Sequence, residues 1–335
     1  MYLLELAGED DAFAAREAAA VATDVTRLAP GLATARGVDR GVRGLAYTHR
    51  ASECIGRTDP DVASARALLA AASVERSGTV AVRARDVRGL AGVDTQDAER
   101  ELGAVLVDRG FDVDLDDPDH ELRAVFSEDT CALGWLVEES VRDFGDRRPT
   151  DRPFFQPGSM DPLLARGLAN VAGAGPDATI LDPMCGTGGG LIEAGLVGAD
   201  VLGVDAQSKM VRGAAENLDH FLAPDRSPAG LPAPGDWHTL RGDATALPLP
   251  DDAVDGVVFD APYGRQSKIA NQPLDALVSG ALAEARRVAS RAVVVGDRSW
   301  DAAARDAGWT VDERFQRRVH RSLTRHVLVL TRADR

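Results

Sequence analysis

Short apolar runs alternate with amphipathic stretches through the second half of the chain. Residues 178–181, 201–204, 239–241, 254–259 and 292–295 are brief, mostly apolar runs of the length of buried strands. Between them, residues 209–221 and 274–288 repeat apolar positions at helical spacing. Strands alternating with helices predict βαβ units, a parallel sheet and right-handed crossovers. Two more strand-like runs, 309–315 and 326–330, close the pattern.

The first half mixes its elements differently. Residues 2–6 read as a strand and the alanine-rich 12–28 as a helix. Residues 79–87 set Val80 and Val82 beside Arg83 and Arg85 in strand fashion. Residues 96–109 place Leu102, Val105 and Leu106 on one helix face, and 121–126 and 131–137 read as further strands. The run Arg147-Arg148-Pro149-Thr150-Asp151-Arg152-Pro153 is polar and proline-punctuated, as a connection between domains would be. The expected organisation is therefore a first domain over 1–146, a linker over 147–153 and a second domain over 154–335. A chain of 335 residues fits this division, since domains usually run to about 100–200 residues.

Composition narrows the class. Apolar residues make up 44% of the chain, enough for sizeable cores. No window approaches the ~18 uninterrupted apolar residues of a membrane span, and residues 1–8 do not resemble a signal peptide. A cytoplasmic protein is expected. Cys54, Cys131 and Cys185 are far apart and form no C-x-x-C pair, which argues against a disulfide framework, a zinc ribbon or any other metal site. The net charge of −15 argues against polyphosphate partners at first sight. Yet only Lys209 and Lys268 are lysines, and the acidic excess is spread along the whole chain. That pattern resembles proteins of salt-loving microbes, whose acidic surfaces hold water. It still weighs on any RNA partner, because phosphate binding weakens with salt.

The chemistry-bearing signal begins at Ile180. The run Ile180-Leu181-Asp182-Pro183-Met184-Cys185-Gly186-Thr187-Gly188-Gly189-Gly190-Leu191-Ile192-Glu193 is a strand, a glycine turn and a helix start. Such a turn lets a nucleotide-like ligand lie against the backbone at the carboxyl end of a strand. The third glycine of a dinucleotide fingerprint is Leu191 here, and a P-loop lysine is missing. Asp182 with Gly186 and Gly188 instead resembles the first motif of class I methyltransferases. Two acids then end successive strands, in Gly203-Val204-Asp205-Ala206 and Gly242-Asp243-Ala244. An acid at the first position suits the ribose hydroxyls of an adenosine, although either acid alone is an ordinary turn residue.

The fourth strand ends Phe259-Asp260-Ala261-Pro262-Tyr263-Gly264-Arg265. This resembles the (Asp/Asn)-Pro-Pro-(Tyr/Phe) motif of amino-methyltransferases, with Ala261 in place of the first proline. The residue types suit an exocyclic amine, whose lone pair is delocalised into the base. Asp260 and the carbonyl of residue 261 would accept its N–H groups and favour the positive charge that develops during transfer. Tyr263 would stack on a base turned out of its helix. Such a transfer is a direct displacement governed by positioning, so Cys185 is read as a lining residue.

Upstream, Phe154-Phe155-Gln156-Pro157-Gly158-Ser159-Met160-Asp161-Pro162 ends in a helix cap and a first-turn proline, with Leu164, Leu168 and Val171 following on one face. Together with Asp182–Gly190, Asp260–Arg265 and the late His320-Arg321-Ser322-Leu323-Thr324-Arg325, this run is similar to the archaeal tRNA guanine-10 N2-methyltransferases. The resemblance reaches the first half through Glu99-Arg100-Glu101-Leu102-Gly103-Ala104-Val105-Leu106 and the stretch 115–136, which look like parts of a THUMP domain.

The resemblance implies an α/β class I, Rossmann-like methyltransferase with a seven-stranded, mostly parallel, doubly wound sheet. It implies an N-terminal α+β region, ferredoxin-like and THUMP-containing, that binds tRNA. The implied reaction moves one or two methyl groups from S-adenosylmethionine to N2 of guanine 10 in tRNA. Asp260, Ala261, Pro262 and Tyr263 would carry the chemistry. Phe155, Pro157, Ser159, Asp182, Met184, Cys185, Gly186, Gly188, Asp205, Ala206, Asp243, Ala244 and Asp260 would hold the cofactor. The basic run of Arg317, Arg318, Arg321 and Arg325 is assigned to RNA phosphates, against the reading of a solvated strand edge. A monomeric catalytic unit is expected, with room for a small zinc-binding activator subunit as in some relatives. Two alternatives stay open: transfer to another base amine (another tRNA guanine, an rRNA guanine or adenine N6), and a tRNA-binding protein without activity.

Overall fold

The computed structural model describes residues 1–263, 273–321 and 323–332. Two compact units divide at Ser140/Val141. The expected linker over 147–153 therefore lies inside the second unit, and the boundary precedes residue 146. The reason is local. Arg147 is buried and donates to Asp143 and to Glu193 of the second unit. Arg152 is buried as well, its Nε donating to the Arg147 carbonyl. A polar, proline-rich run has been folded into the unit by its arginines.

In the first unit the chain forms β1 (Tyr2–Leu6), α1 (Asp11–Ala18), β2 (Ala22–Thr23), β3 (Thr26–Ala29), β4 (Leu32–Ala35), β5 (Gly37–Val38), β6 (Thr48–Thr58), α2 (Val62–Ala71), β7 (Thr79–Asp86), α3 (Thr95–Val107), β8 (Asp112–Val113), β9 (His120–Ser127) and β10 (Thr130–Glu139). Eight of these strands make one sheet in the order β3-β4-β1-β6-β10-β9-β7-β8. It is antiparallel except where β7 runs parallel to β8 and β9. Helices α2 and α3 bury Leu69, Leu102 and Leu106 against Leu122, Phe126 and Leu133 of the sheet. The helix expected over 12–28 stops at Ala18. Beyond it Val21, Thr23, Val25 and Thr26 are β-branched, and such side chains favour strands. Asp24 also takes a positive φ of 53°.

The second unit contains α4 (Pro162–Ala172), β11 (Thr179–Asp182), α5 (Gly189–Leu196), β12 (Asp200–Asp205), α6 (Ser208–Phe221), β13 (Trp237–Arg241), β14 (Gly256–Asp260), α7 (Leu274–Val288), β15 (Arg291–Gly296), α8 (Asp301–Asp306), β16 (Thr310–His320) and β17 (Leu323–Thr331). Its seven strands run in the order β13-β12-β11-β14-β15-β17-β16 among the described residues. Pairing is parallel from β13 to β15, and β17 enters antiparallel to both β15 and β16. Helices α4, α5 and α6 contact one another as a layer, while α7 and α8 form a second. Val257, Phe259, Val278, Leu282, Val294 and Leu330 lie in the core between sheet and helices. This is the expected doubly wound α/β sheet of seven mostly parallel strands. The strand order reverses between β11 and β14, and in such sheets the crevice at the carboxyl ends on either side of that point receives ligands.

Candidate active site

The carboxyl ends of β11, β12 and β14 surround a cavity of about 570 Å³, within the range of small-molecule sites. The turn after β11 shapes its floor. Gly186 and Gly188 have φ of +53° and +76°, a backbone conformation that side chains disfavour. Gly188 then caps α5. Gly186 N–H donates to Asp205 Oδ2 at 3.1 Å, and Gln207 N–H donates to Oδ1 at 2.8 Å. Asp205 thus ties the glycine turn to the end of β12.

Four acids face this space. Asp182 is 8% exposed and accepts from Met184 N–H at 2.9 Å. Burial, aided by the charges of Asp205 and Asp260, pushes its carboxyl up to about 8. Burial raises Asp205 and takes Asp260 to about 6. Asp243 also lines the cavity, accepting from both N–H and O–H of Thr245.

Asp260 ends β14. The Tyr263 hydroxyl donates to its Oδ1 at 2.5 Å, and Arg325 Nε donates to that hydroxyl at 3.0 Å. Tyr263, expected as a stacking surface, thus also serves Asp260 as a hydrogen-bond donor. Ala261 is buried, its N–H held by the Val295 carbonyl at 2.8 Å. The missing proline of the motif is compensated by this link to β15. Gly264 and Arg265 lie outside the described residues.

The expected cofactor set largely comes together. Pro157, Ser159, Asp182, Met184, Cys185, Gly186, Asp205, Ala206, Asp243, Ala244, Asp260 and Pro262 line the cavity. Gly188 shapes the turn from beneath. Phe155 is 40% exposed and absent from the lining. Its neighbour Phe154 is the packed residue: a side-chain carbon at Gly213 of α6 would fall 2.0 Å from its ring.

Residues that sequence reasoning missed hold the upstream segment in place. The buried Asn217 of α6 accepts from Phe154 N–H and donates to the carbonyls of Phe154 and Thr187. Ser159 Oγ donates to the Gln156 carbonyl and lies 3.2 Å from Thr187 Oγ1. A polar residue within an amphipathic helix, on the face that also carries Gly213, was the available signal for Asn217.

The basic run divides. Arg318 and Arg321 are exposed and Arg317 half-buried on the β16–β17 hairpin. Arg325 is 6% exposed and hydrogen-bonded inside the site. Its burial corrects the expectation that it is, like the other three, a surface phosphate contact. The His320 side chain and Ser322 lie outside the described residues.

The donor set fits S-adenosylmethionine. Acids at the ends of β12 and β13 suit an adenosine, the glycine turn gives backbone access, and the desolvated carboxyls of Asp182 and Asp205 suit a positive sulfonium. Burial holds the Cys185 thiol well above its ordinary range, so it stays protonated and lines the cavity without acting as a nucleophile.

The chain is similar to known methyltransferases. Residues 149–326 match the UPF0020 family, described as an RMKL-like methyltransferase domain. The chain is 38% identical to the tRNA (guanine(10)-N2)-dimethyltransferase of Methanothermobacter thermautotrophicus, over 86% of this chain and 83% of that one. It is 31% identical to the protein of the same name from Pyrococcus abyssi, over 76% and 74% of the two chains. The mouse U6 snRNA (guanine-N(2))-methyltransferase THUMPD2 is 29% identical over 52% of this chain and 30% of its own length. With the glycine turn, the strand-end acids and the Asp-Ala-Pro-Tyr motif gathered at one cavity, the chain belongs to the family of tRNA (guanine(10)-N2)-dimethyltransferases.

Proposed function

We propose that this chain methylates the exocyclic N2 of the guanine at position 10 of tRNA, using S-adenosylmethionine. The carrying observation is Asp260 at the end of β14, beside a cavity that fits the cofactor, in a chain similar to named tRNA enzymes along most of its length. When bound, the cofactor supplies an electrophilic methyl group on a sulfonium sulfur. Asp260 Oδ2 and the Ala261 carbonyl accept the N–H groups of the target amine. They turn its nitrogen toward the methyl and stabilise the charge that develops there. Asp260, ionising near pH 6, then takes the proton that the methylated nitrogen sheds. Tyr263 borders the base on the outer side.

The first unit is proposed as the THUMP-containing, tRNA-gripping region, and Arg317, Arg318 and Arg321 as phosphate contacts. Similarity to two dimethyltransferases favours two methyl groups. A cytoplasmic location, a salt-adapted surface, a monomeric catalytic unit and a small zinc-binding activator subunit belong to the same reading. Transfer to guanine N2 in another RNA is the second reading, favoured by the THUMPD2 similarity but resting on half of the chain.

The test is methyl incorporation from labelled S-adenosylmethionine into unmodified tRNA at high salt, with modified nucleosides mapped by mass spectrometry. N2-methylated guanosine at position 10 is expected. Methylation of another nucleotide would overturn the substrate, and no transfer despite binding of both cofactor and tRNA would favour a binding role or an absent activator.

A further inference from the structure

The hydrogen bonds at Asp260 run in one direction only. An arginine has no acceptor lone pair, so Arg325 Nε must donate to the Tyr263 oxygen. That leaves the single phenol proton for Asp260 Oδ1, at 2.5 Å. Among the described residues, Asp260 Oδ2 receives no hydrogen bond. Arg325 Nη2 stands 3.8 Å from it, beyond hydrogen-bond range but close enough for its charge to act.

Topology explains how Arg325 arrives there. A parallel strand delivers only its carboxyl end and the following loop to the catalytic edge. The antiparallel β17 delivers its beginning. His326 pairs with Gly296, the last residue of β15, so Arg325 extends one position past the end of that strand. Asp260 pairs with Val295 on the other side of β15. The Arg325 side chain, 8% exposed, spans this gap to Asp260 and Tyr263.

We propose that Arg325 is a positioning residue for methyl transfer: through the Tyr263 hydroxyl it commits Asp260 Oδ1 and leaves Oδ2 to receive the amine of the target base. This role rests on the reading of Asp260 as the acceptor of that amine. The same guanidinium favours the charged carboxylate, against burial and the neighbouring charge of Asp297. Without it, the phenol is free to rotate its proton away, and the carboxylate is free to turn.

The experiment compares the full chain with Arg325→Met, Arg325→Lys, Tyr263→Phe and the Tyr263→Phe/Arg325→Met double variant, on unmodified tRNA with labelled S-adenosylmethionine. Asp260→Asn serves as a separate control. Arg325→Met is expected to lower kcat about 100-fold, the scale of lost acid–base and electrostatic positioning. Its tRNA and cofactor affinities should stay within about 2-fold, and the acid limb of its pH–rate profile should rise by about one pH unit. Arg325→Lys should return the limb toward wild type through its charge, with only partial recovery of rate. In the Tyr263→Phe background, Arg325→Met should cost much less than it does alone, as coupled residues do.

Weaker tRNA binding and a salt dependence reduced by about one counterion, with the acid limb unmoved, would make Arg325 a phosphate ligand and overturn the proposal. A lowered melting temperature with an unmoved limb would reduce it to strand packing and overturn it equally. Wild-type transfer by Asp260→Asn would remove the Asp260 reading itself. Inactive Asp260→Asn with fully active Arg325→Met would remove only the role of Arg325.

Discussion

Two kinds of buried carboxyl in this protein, one in a structural ion pair and one at the cavity, are treated in opposite ways. In the first unit Glu5 is fully buried, with Arg123 donating to both its oxygens at 2.7 and 3.0 Å and Arg85 nearby. Burial alone would raise Glu5, but these arginines outweigh it and hold the carboxyl below its ordinary range. In the second unit Asp182 and Asp205 are desolvated and accept from backbone N–H groups, and both are raised. Glu5 is satisfied by its own fold, as a structural ion pair should be. The cavity acids carry a deficit that a cationic ligand would relieve.

The two cases have opposite pH signs. Glu5, lowered in the folded state, adds stability above the ordinary glutamate range and loses it as pH falls through its folded value. Asp182, raised to about 8, costs stability above that pH, and the cost fades as pH falls toward the ordinary aspartate range.

Substitution sharpens the contrast. Glu5→Gln should destabilise the first unit by about 3 kcal/mol, because Arg123 is left buried with only Glu121 as a charged partner. Asp182→Asn keeps the acceptor for Met184 N–H and removes the cost of burying an ionisable carboxyl, so stability at neutral pH should be unchanged or raised, while cofactor binding weakens about 10-fold or more. Denaturant unfolding and equilibrium dialysis measure both. Equal destabilisation by the two substitutions would break the comparison.

A smaller effect is expected at the surface. Reversing Arg317 and Arg318 to glutamate should weaken tRNA binding several-fold and flatten its salt dependence by about two counterions, with cofactor affinity unchanged. Unchanged tRNA affinity would return the hairpin to a solvated strand edge.

How much of this was legible in the sequence differs between the units for physical reasons. In the second unit each strand is a short buried run followed by a glycine or an acid, so local pattern and global topology agree. The helix over 274–288 is found at those bounds, and Asp182, Asp205 and Asp260 fall at the strand ends expected of them. In the first unit β6 carries Thr48, His49, Arg50 and Glu53 among few apolar residues, and its pairing with β10 is interrupted by register shifts. No period-2 signal survives, and this long strand went unread.

The site shows the same division. Residues that contribute through their own local turn, such as Gly186 and Gly188, were visible. Arg325 meets Tyr263 across 62 positions of sequence. Within its arginine-rich run nothing distinguishes it from its exposed neighbours, because its burial is decided by the antiparallel entry of β17. Phe155 was favoured over Phe154 for a parallel reason: the gap at Gly213 that accepts the ring lies on a helix some 60 residues later.

The central claim is that the cationic cofactor relieves the desolvation of Asp182 when it binds. Its most direct test is calorimetry of S-adenosylmethionine binding at pH 7 in buffers of different ionisation enthalpy. Asp182, held near 8 in the free protein, should ionise when the sulfonium arrives. Wild type is therefore expected to release up to about one proton more than Asp182→Asn on binding. Equal proton release from the two proteins, with both binding the cofactor, would show that Asp182 is already charged or stays protonated, and would contradict the account.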